Sequence, residues 1–292
     1  MRDIEKLFSE YDFNFDDQKV SNEVQRIVEE NFDKNNNANV WSKAFSLIDL
    51  TSLNTTDTEE KIEKMMIKVN EFSSHYHDIE NVAAVCVYPS LVPIARQTLQ
   101  GNTRIAAVSA CFPSSQTFIE AKVAEVALTA HAGADEIDVV ISVGKFLSGK
   151  YEEVLDEIEE IKAACRGAHL KVILETGSLP SMQDIKRASL LAIAAGADFI
   201  KTSTGKTEPA AKLEAAYVMC QTIKEYYQKT GIKIGFKPAG GVATTEEAVK
   251  FYSVVNHVLG EEWMNKDLFR FGASRLANNL LSSIYGKEVK YY

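Results

Sequence analysis

The stretch Ala132-Gly133-Ala134-Asp135-Glu136-Ile137-Asp138 recurs as Ala195-Gly196-Ala197-Asp198-Phe199-Ile200-Lys201, sharing A-G-A-D and the isoleucine at the sixth position. In each copy a loop of small residues leads into an apolar run, which reads as a helix-to-strand connection. The copies lie 63 residues apart, about two strand–helix units. They are therefore expected to open strands 4 and 6 of one series, and alternate strands of an eightfold barrel feed the same side-chain layers. Superposing them sets Asp138 on Lys201, so a carboxylate and an ammonium should enter the interior at similar height. A-G-A-D is adequate loop chemistry in any such fold, but it gives no reason for the charges.

Outward from this pair, short β-branched runs alternate with longer helical patterns, the signature of parallel strands joined by crossover helices. Eight strands are predicted: Phe45–Leu50, Val82–Val87, Ile105–Cys111, Glu136–Ile141, Leu170–Glu175, Phe199–Thr202, Ile232–Lys237 and Phe269–Gly272. Helical patterns follow each, among them 57–72, with Thr56 and Glu59 at capping-box spacing, and 151–164. From Phe45 to Tyr285 is 241 residues, about 30 per unit, which fits a (β/α)8 TIM barrel of roughly 250 residues. An open doubly wound sheet would carry a glycine fingerprint after its first strand, and Leu47 to Asn54 contains no glycine. Residues 1–43 read as an N-terminal helical extension. In it Val20, Val24, Ile27, Val28 and Phe32 recur at helical spacing, which predicts an apolar stripe laid on the main body. Residues 44–292 read as the catalytic barrel with a short C-terminal tail.

The chain has 292 residues, 46% hydrophobic and 25% charged, with net charge −9. That acidic balance argues against general nucleic-acid binding, which needs Lys and Arg to neutralise phosphates, but it leaves room for one small-phosphate pocket. No run reaches the ~18 apolar residues of a membrane span. The start, Met1-Arg2-Asp3-Ile4-Glu5, lacks a leader pattern, so a cytoplasmic location is expected. The four cysteines are scattered with no C-x-x-C pair; Cys86 and Cys111 fall inside predicted strands and read as small core residues.

Strands covered on both faces should be apolar, so ionisable residues inside them need a reason. Asp49, Asp138, Lys171, Glu175, Lys201 and Lys237 all lie within or at the end of predicted strands. A structural ion-pair network could account for any one of them, but six spread over five strands favour a site. Lys201 and Lys237 close neighbouring strands. Desolvation and a second ammonium lower a lysine's pKa and free its amine for Schiff-base formation, with Asp138 available for proton transfer. Gly240-Gly241 and Gly272-Ala273-Ser274 end strands 7 and 8, where such barrels bind phosphate; tight turn chemistry also explains Gly-Gly. Thr204-Gly205-Lys206-Thr207 ends like a P-loop, but the first required glycine is Ile200. His75 and His77 read as solvated surface, and His131, His169 and His257 are isolated, so no metal or cofactor is implied.

The blocks Asp49-Leu50-Thr51, Val85 to Pro89, Gly133 to Val140, Lys171 to Gly177, Asp198 to Lys206, Gly235 to Gly241 and Arg270 to Ser274 resemble, in this order, the deoxyribose-phosphate aldolases, which are class I Schiff-base enzymes. The resemblance implies a (β/α)8 barrel cleaving 2-deoxy-D-ribose 5-phosphate to acetaldehyde and D-glyceraldehyde 3-phosphate in deoxynucleoside breakdown. By the same resemblance Lys201 is the imine-forming lysine, Lys237 its pKa-depressing partner and Asp138 the acid/base. Asp49 and Lys171 match supporting positions, and Thr202, Lys206, Gly240, Gly241, Gly272 and Ser274 match substrate or phosphate positions. Two departures stand out: Ala243 occupies the place of a common arginine, and Arg275 follows Gly-Ala-Ser, where its cation would replace the missing one. Tyr291-Tyr292 resembles a tail that reaches the site in some relatives. The partners implied are a small sugar phosphate and an aldehyde, and a homodimer through exposed helices is compatible. Another Schiff-base barrel with a different pocket, and a catalytically silent sugar-phosphate binder, are the competing readings.

Overall fold

The computed structural model describes residues 4–292, so the first three residues of the acidic start lie outside it. Among the described residues eight parallel strands run β1 (Ile48–Thr51), β2 (Ala84–Val87), β3 (Arg104–Val108), β4 (Glu136–Val140), β5 (His169–Ile173), β6 (Phe199–Lys201), β7 (Gly235–Lys237) and β8 (Phe271–Ala273). Each pairs with its sequence neighbours and β1 also pairs with β8; the bridges Phe236–Phe269 and Ala239–Gly272 join the last two strands. The ring is a (β/α)8 barrel, as the spacing predicts.

Three helices precede it: α1 (Ile4–Ser9), α2 (Asp17–Asn35) and α3 (Ala38–Ser46). The Asp16 side chain caps α2 by accepting from the N–H groups of Gln18 and Lys19. The predicted stripe of α2 faces inward, with Val20, Val24 and Ile27 buried. After the strands come α4 (Glu59–His75), α5 (Val92–Thr98), α6 (Ile119–His131), α7 (Val143–Leu147), α8 (Tyr151–Ala164), α9 (Met182–Ala194), α10 (Leu213–Thr230), α11 (Thr245–Leu259) and α12 (Arg275–Tyr285). α2 packs on α10 and α11, and α3 packs on α11 and α12.

Local chemistry accounts for three of the boundaries that differ from the predicted ones. Phe45 and Ser46 end α3 instead of opening β1, because Asn37 caps a helix that runs on to Ser46 and stacks Phe45 on Phe72. This helix crosses the boundary expected at 43/44. α4 starts after Thr58, not Thr56, because Asp57 accepts from Ser52 Oγ and the Asn54 N–H and so holds residues 54–57 in a turn. Cys111 lies past β3 at φ 61° and is half-buried, whereas Cys86 is fully buried in β2. Cys111 is therefore not a core strand residue. His75 and His77 are exposed.

Candidate active site

Register explains how the two echoed charges meet. Asp138 pairs across β4–β5 with Lys171, while Lys201 pairs with Ile173, two residues further along β5. Barrel strands tilt and stagger by about one residue per strand, so an offset of two over two strands puts Asp138 and Lys201 in one layer. Lys201 and Lys237 stand directly in register on β6 and β7. Asp138 Oδ2 accepts from both ammoniums at 2.8 Å, and its Oδ1 accepts from Lys171 at 3.1 Å.

Beneath this lies a second tier. Asp49 Oδ2 sits 2.5 Å from Lys237 Nζ and 3.5 Å from Lys171 Nζ. Arg270 donates to Asp49 Oδ1 at 2.5 Å and to Glu136 Oε1 at 2.7 Å, and Glu136 also takes Lys171 and Arg104. Glu136 and Arg270 fall inside predicted strands, so the criterion that picked out the six charged residues applied to them equally. In the sequence Glu136 directly follows the repeated A-G-A-D loop and Arg270 opens the block Arg270 to Ser274, which gives each a place in the pattern without reference to a site.

Three buried carboxylates, Asp49, Glu136 and Asp138, thus face four buried cations, Lys171, Lys201, Lys237 and Arg270. One positive charge is in excess. Burial opposes charge on every member, and partners decide the outcome. For Asp138, burial is outweighed by Lys171, Lys201 and Lys237, which hold the carboxyl well below the usual range. Burial against Glu136 is likewise overcome by Lys171 and Arg270, leaving it at about 2. Lys237 and Lys171, each facing more than one carboxylate, are raised despite burial. Lys201 is lowered, first by burial and then by Lys237, against the pull of Asp138. The surplus charge is most cheaply discarded at Lys201.

Lys201 also opens into a cleft of about 330 Å³ at the carboxyl ends of the strands, lined by Thr51 to Asn54, Lys206, Gly240, Gly241, Ser274 and Arg275, among others. Gly272 belongs to this wall, and a Cβ there would meet Ala239 Cβ at 2.7 Å and Lys237 Cε at 3.0 Å. Only glycine leaves room for the Lys237 stem. Lys206 is exposed and its ammonium donates to the Leu53 carbonyl across the mouth. Ser274 and Arg275 are exposed at the start of α12, and Ala243 lines the same cleft. Thr202 is brought to the site but lies behind its wall: its hydroxyl donates to the Ala239 carbonyl at 3.1 Å and accepts from the Ala239 N–H at 3.0 Å. Asp49 and Lys171 lie below Lys201 and do not line the cleft. The tail does not enter it either. Asn278 clasps the Tyr291 and Tyr292 backbone, and the Tyr292 ring stacks on Phe45 and Phe72. A larger cavity of about 520 Å³ lies outside the barrel between α4 and α12 and lacks Lys201.

A strand-end lysine of lowered pKa, opening to a cleft and backed by a carboxylate and a second lysine, can form and protonate an imine. A model of the DeoC/LacD family aldolases matches residues 43–261, three quarters of the chain. The chain belongs to the DeoC/LacD aldolase family. This aldolase is 41% identical over 266 residues to the deoxyribose-phosphate aldolase of Homo sapiens, covering 86% of this chain and 83% of the human protein. It is 41% identical over 265 residues to the Mus musculus deoxyribose-phosphate aldolase, with the same coverage of each. Among solved structures it resembles the aldolase QR15, with TM-score 0.68 and 28% identity, covering 83% of this chain and 96% of that one. As a family member the aldolase is a lyase. Among the described residues no helix is long and apolar enough to cross a membrane.

Proposed function

We propose that this aldolase reversibly cleaves 2-deoxy-D-ribose 5-phosphate to acetaldehyde and D-glyceraldehyde 3-phosphate through a Schiff base on Lys201, without metal or cofactor. The observation that carries the reading is the excess of one cation in the buried cluster, discarded at the lysine that faces the cleft. The names of the human and mouse relatives support the substrate.

Neutral Lys201 Nζ attacks the C1 aldehyde carbon, and the resulting carbinolamine takes up one proton from solvent and loses its hydroxyl as water, giving the protonated imine. A base, Asp138 through a water, takes the proton of the C3 hydroxyl. The C2–C3 electron pair moves toward the iminium as that bond breaks, releasing D-glyceraldehyde 3-phosphate and leaving an enamine. Asp138 returns its proton through the water to C2, and hydrolysis of the iminium gives acetaldehyde, the free amine and the proton taken up at the start. Asp138 is ionised at rest, so it enters as base, and Lys237 stays charged and keeps the Lys201 amine free. Asp49 and Lys171 hold that pair in place. Lys206, Gly240, Gly241, Gly272, Ser274 and Arg275 hold the phosphate, with Thr202 fixing the loop behind them and Arg275 supplying the cation absent at Ala243. The reaction belongs to deoxyribonucleoside breakdown in the cytoplasm, with residues 1–43 an extension to a catalytic domain over 44–292.

The test is incubation with acetaldehyde and borohydride, followed by intact-mass measurement and peptide mapping. One ethyl group on Lys201, absent in Lys201→Leu, supports the mechanism together with cleavage of the phosphorylated sugar. A folded protein that gains no adduct overturns it.

A further inference from the structure

Glu175 is a buried carboxylate that the chemistry above does not use. It follows β5 with φ 54° and ψ 55°, left-handed backbone that a residue with a Cβ adopts at a cost. That conformation aims the side chain sideways, along the rim of the barrel, at the loop after β6. There one carboxylate oxygen accepts from the Thr204 N–H at 3.1 Å and the other from the Thr204 hydroxyl at 2.7 Å. The Thr204 hydroxyl oxygen in turn accepts from the Lys206 N–H at 3.0 Å. A single buried acid therefore fixes the backbone on which Lys206 stands.

The surrounding loops pass this placement on. Thr176 donates its N–H to the Thr202 carbonyl at 2.9 Å, and a Cβ at Gly177 would lie 1.8 Å from the Pro209 carbonyl oxygen, so the two loops are in backbone contact. Further along the same β6 loop, Ala211 donates its N–H to the Gly240 carbonyl at 3.2 Å. The loops after β5, β6 and β7 thus form one stack, with Glu175 at its base and Lys206 and Gly240 in the cleft wall.

We infer that Glu175 is a positioning residue for substrate phosphate: it holds the 202–206 loop so that Lys206 and, through the loop stack, Gly240 face the phosphate, and it takes no part in imine chemistry. This rests on the function proposed above. Because the Glu175 carboxylate bonds to Thr204 and, among the described residues, shares no hydrogen bond or ion pair with Lys201 or Asp138, the loss should fall on recognition of the phosphate and spare the reaction at C1.

The experiment compares Glu175→Ala and Glu175→Gln with the parent protein in two readouts. One is backbone hydrogen exchange across residues 202–206; the other is steady-state kinetics on 2-deoxyribose 5-phosphate and on unphosphorylated 2-deoxyribose. For Glu175→Ala we expect faster exchange in that loop alone. We also expect KM for the phosphorylated sugar to rise about tenfold with kcat nearly constant, the sign of lost uniform binding, while kcat/KM for deoxyribose moves less than about twofold. Glu175→Gln, which can still bond both Thr204 groups with the hydroxyl reversed, should recover most of the loss. Unchanged exchange, or equal losses on both sugars, overturns the inference. If Glu175→Ala does not fold, Thr204→Val removes the hydroxyl contact and is judged by the same two readouts. If the parent cleaves neither sugar, the proposed function fails on its own. Titration with inorganic phosphate then decides the role of Glu175: weaker binding by Glu175→Ala than by the parent supports it, and equal binding overturns it.

Discussion

Asp138 Oδ2 lies 2.8 Å from Lys201 Nζ and 2.8 Å from Lys237 Nζ, so one carboxylate oxygen holds two ammonium groups. The two lysines nevertheless shift in opposite directions. Lys237 has a second carboxylate, Asp49, at 2.5 Å, whereas Lys201 has only its share of Asp138 among the described ion pairs. The first lysine keeps its proton and the second can give it up.

Replacing Lys237 by leucine removes the neighbouring charge that lowers Lys201. The acid limb of the kcat/KM profile, which reports formation of the neutral amine, should move to higher pH. Activity near neutrality should fall by about 10²-fold or more. Borohydride trapping of acetaldehyde as a function of pH checks the same shift without turnover, and an unmoved limb would contradict the assignment of Lys237.

Stability should respond oppositely at two members of the same cluster. Lys201→Leu removes the surplus cation, leaves three carboxylates facing three cations, and should be close to neutral or stabilising in thermal melts. Arg270→Leu strips Asp49 and Glu136 of a fully buried partner and should cost about 3–5 kcal/mol. Both variants leave three carboxylates facing three cations, so the comparison isolates which partner is lost, and equal melting temperatures would contradict this account of Arg270.

The buried carboxylates also set an acid limit. Glu136 is held at about 2, and Asp49 and Asp138 are held below their ordinary values. Unfolded, such groups titrate near ~4, so below that pH the unfolded chain binds more protons than the folded one. Their contribution is complete above about pH 5 and declines as pH falls toward about 2. Urea midpoints should therefore climb between pH 3 and 5, with proton uptake on unfolding at pH 4. A flat dependence would refute this account of the cluster.

Arg275 is exposed on the cleft wall that it shares with Ala243. If it supplies the phosphate cation, Arg275→Ala should raise KM for 2-deoxyribose 5-phosphate several-fold, a loss of uniform binding, and leave imine trapping by acetaldehyde intact. An unchanged KM removes Arg275 from the phosphate site.

The barrel was legible in the chain because its signals are local. Units of about 30 residues alternate short β-branched runs with helical patterns, and the repeated A-G-A-D loop puts Asp138 and Lys201 on alternate strands. Charge inside a strand marks Asp49, Asp138, Lys171, Lys201 and Lys237, five of the seven cluster members, in the sequence alone, and applies equally to Glu136 and Arg270. Which lysine loses its proton was not local. It depends on how three carboxylates are shared among four cations reaching in from β1, β4, β5, β6, β7 and the residue before β8. Sequence spacing supplies the strand of each charge but not the distances that divide one carboxylate between neighbours. The position of Thr202 behind the wall, the docking of Tyr292 on the helix layer and the hold of Glu175 on Thr204 were likewise decided by tertiary contacts. Each depends on a partner that comes close only when the loops and helices around the barrel pack together. The sequence by itself determined the architecture and five of the seven buried charges of the cluster. The folded barrel decided which of those charges is in excess, because electrostatic balance in a dry interior is a property of the whole cluster.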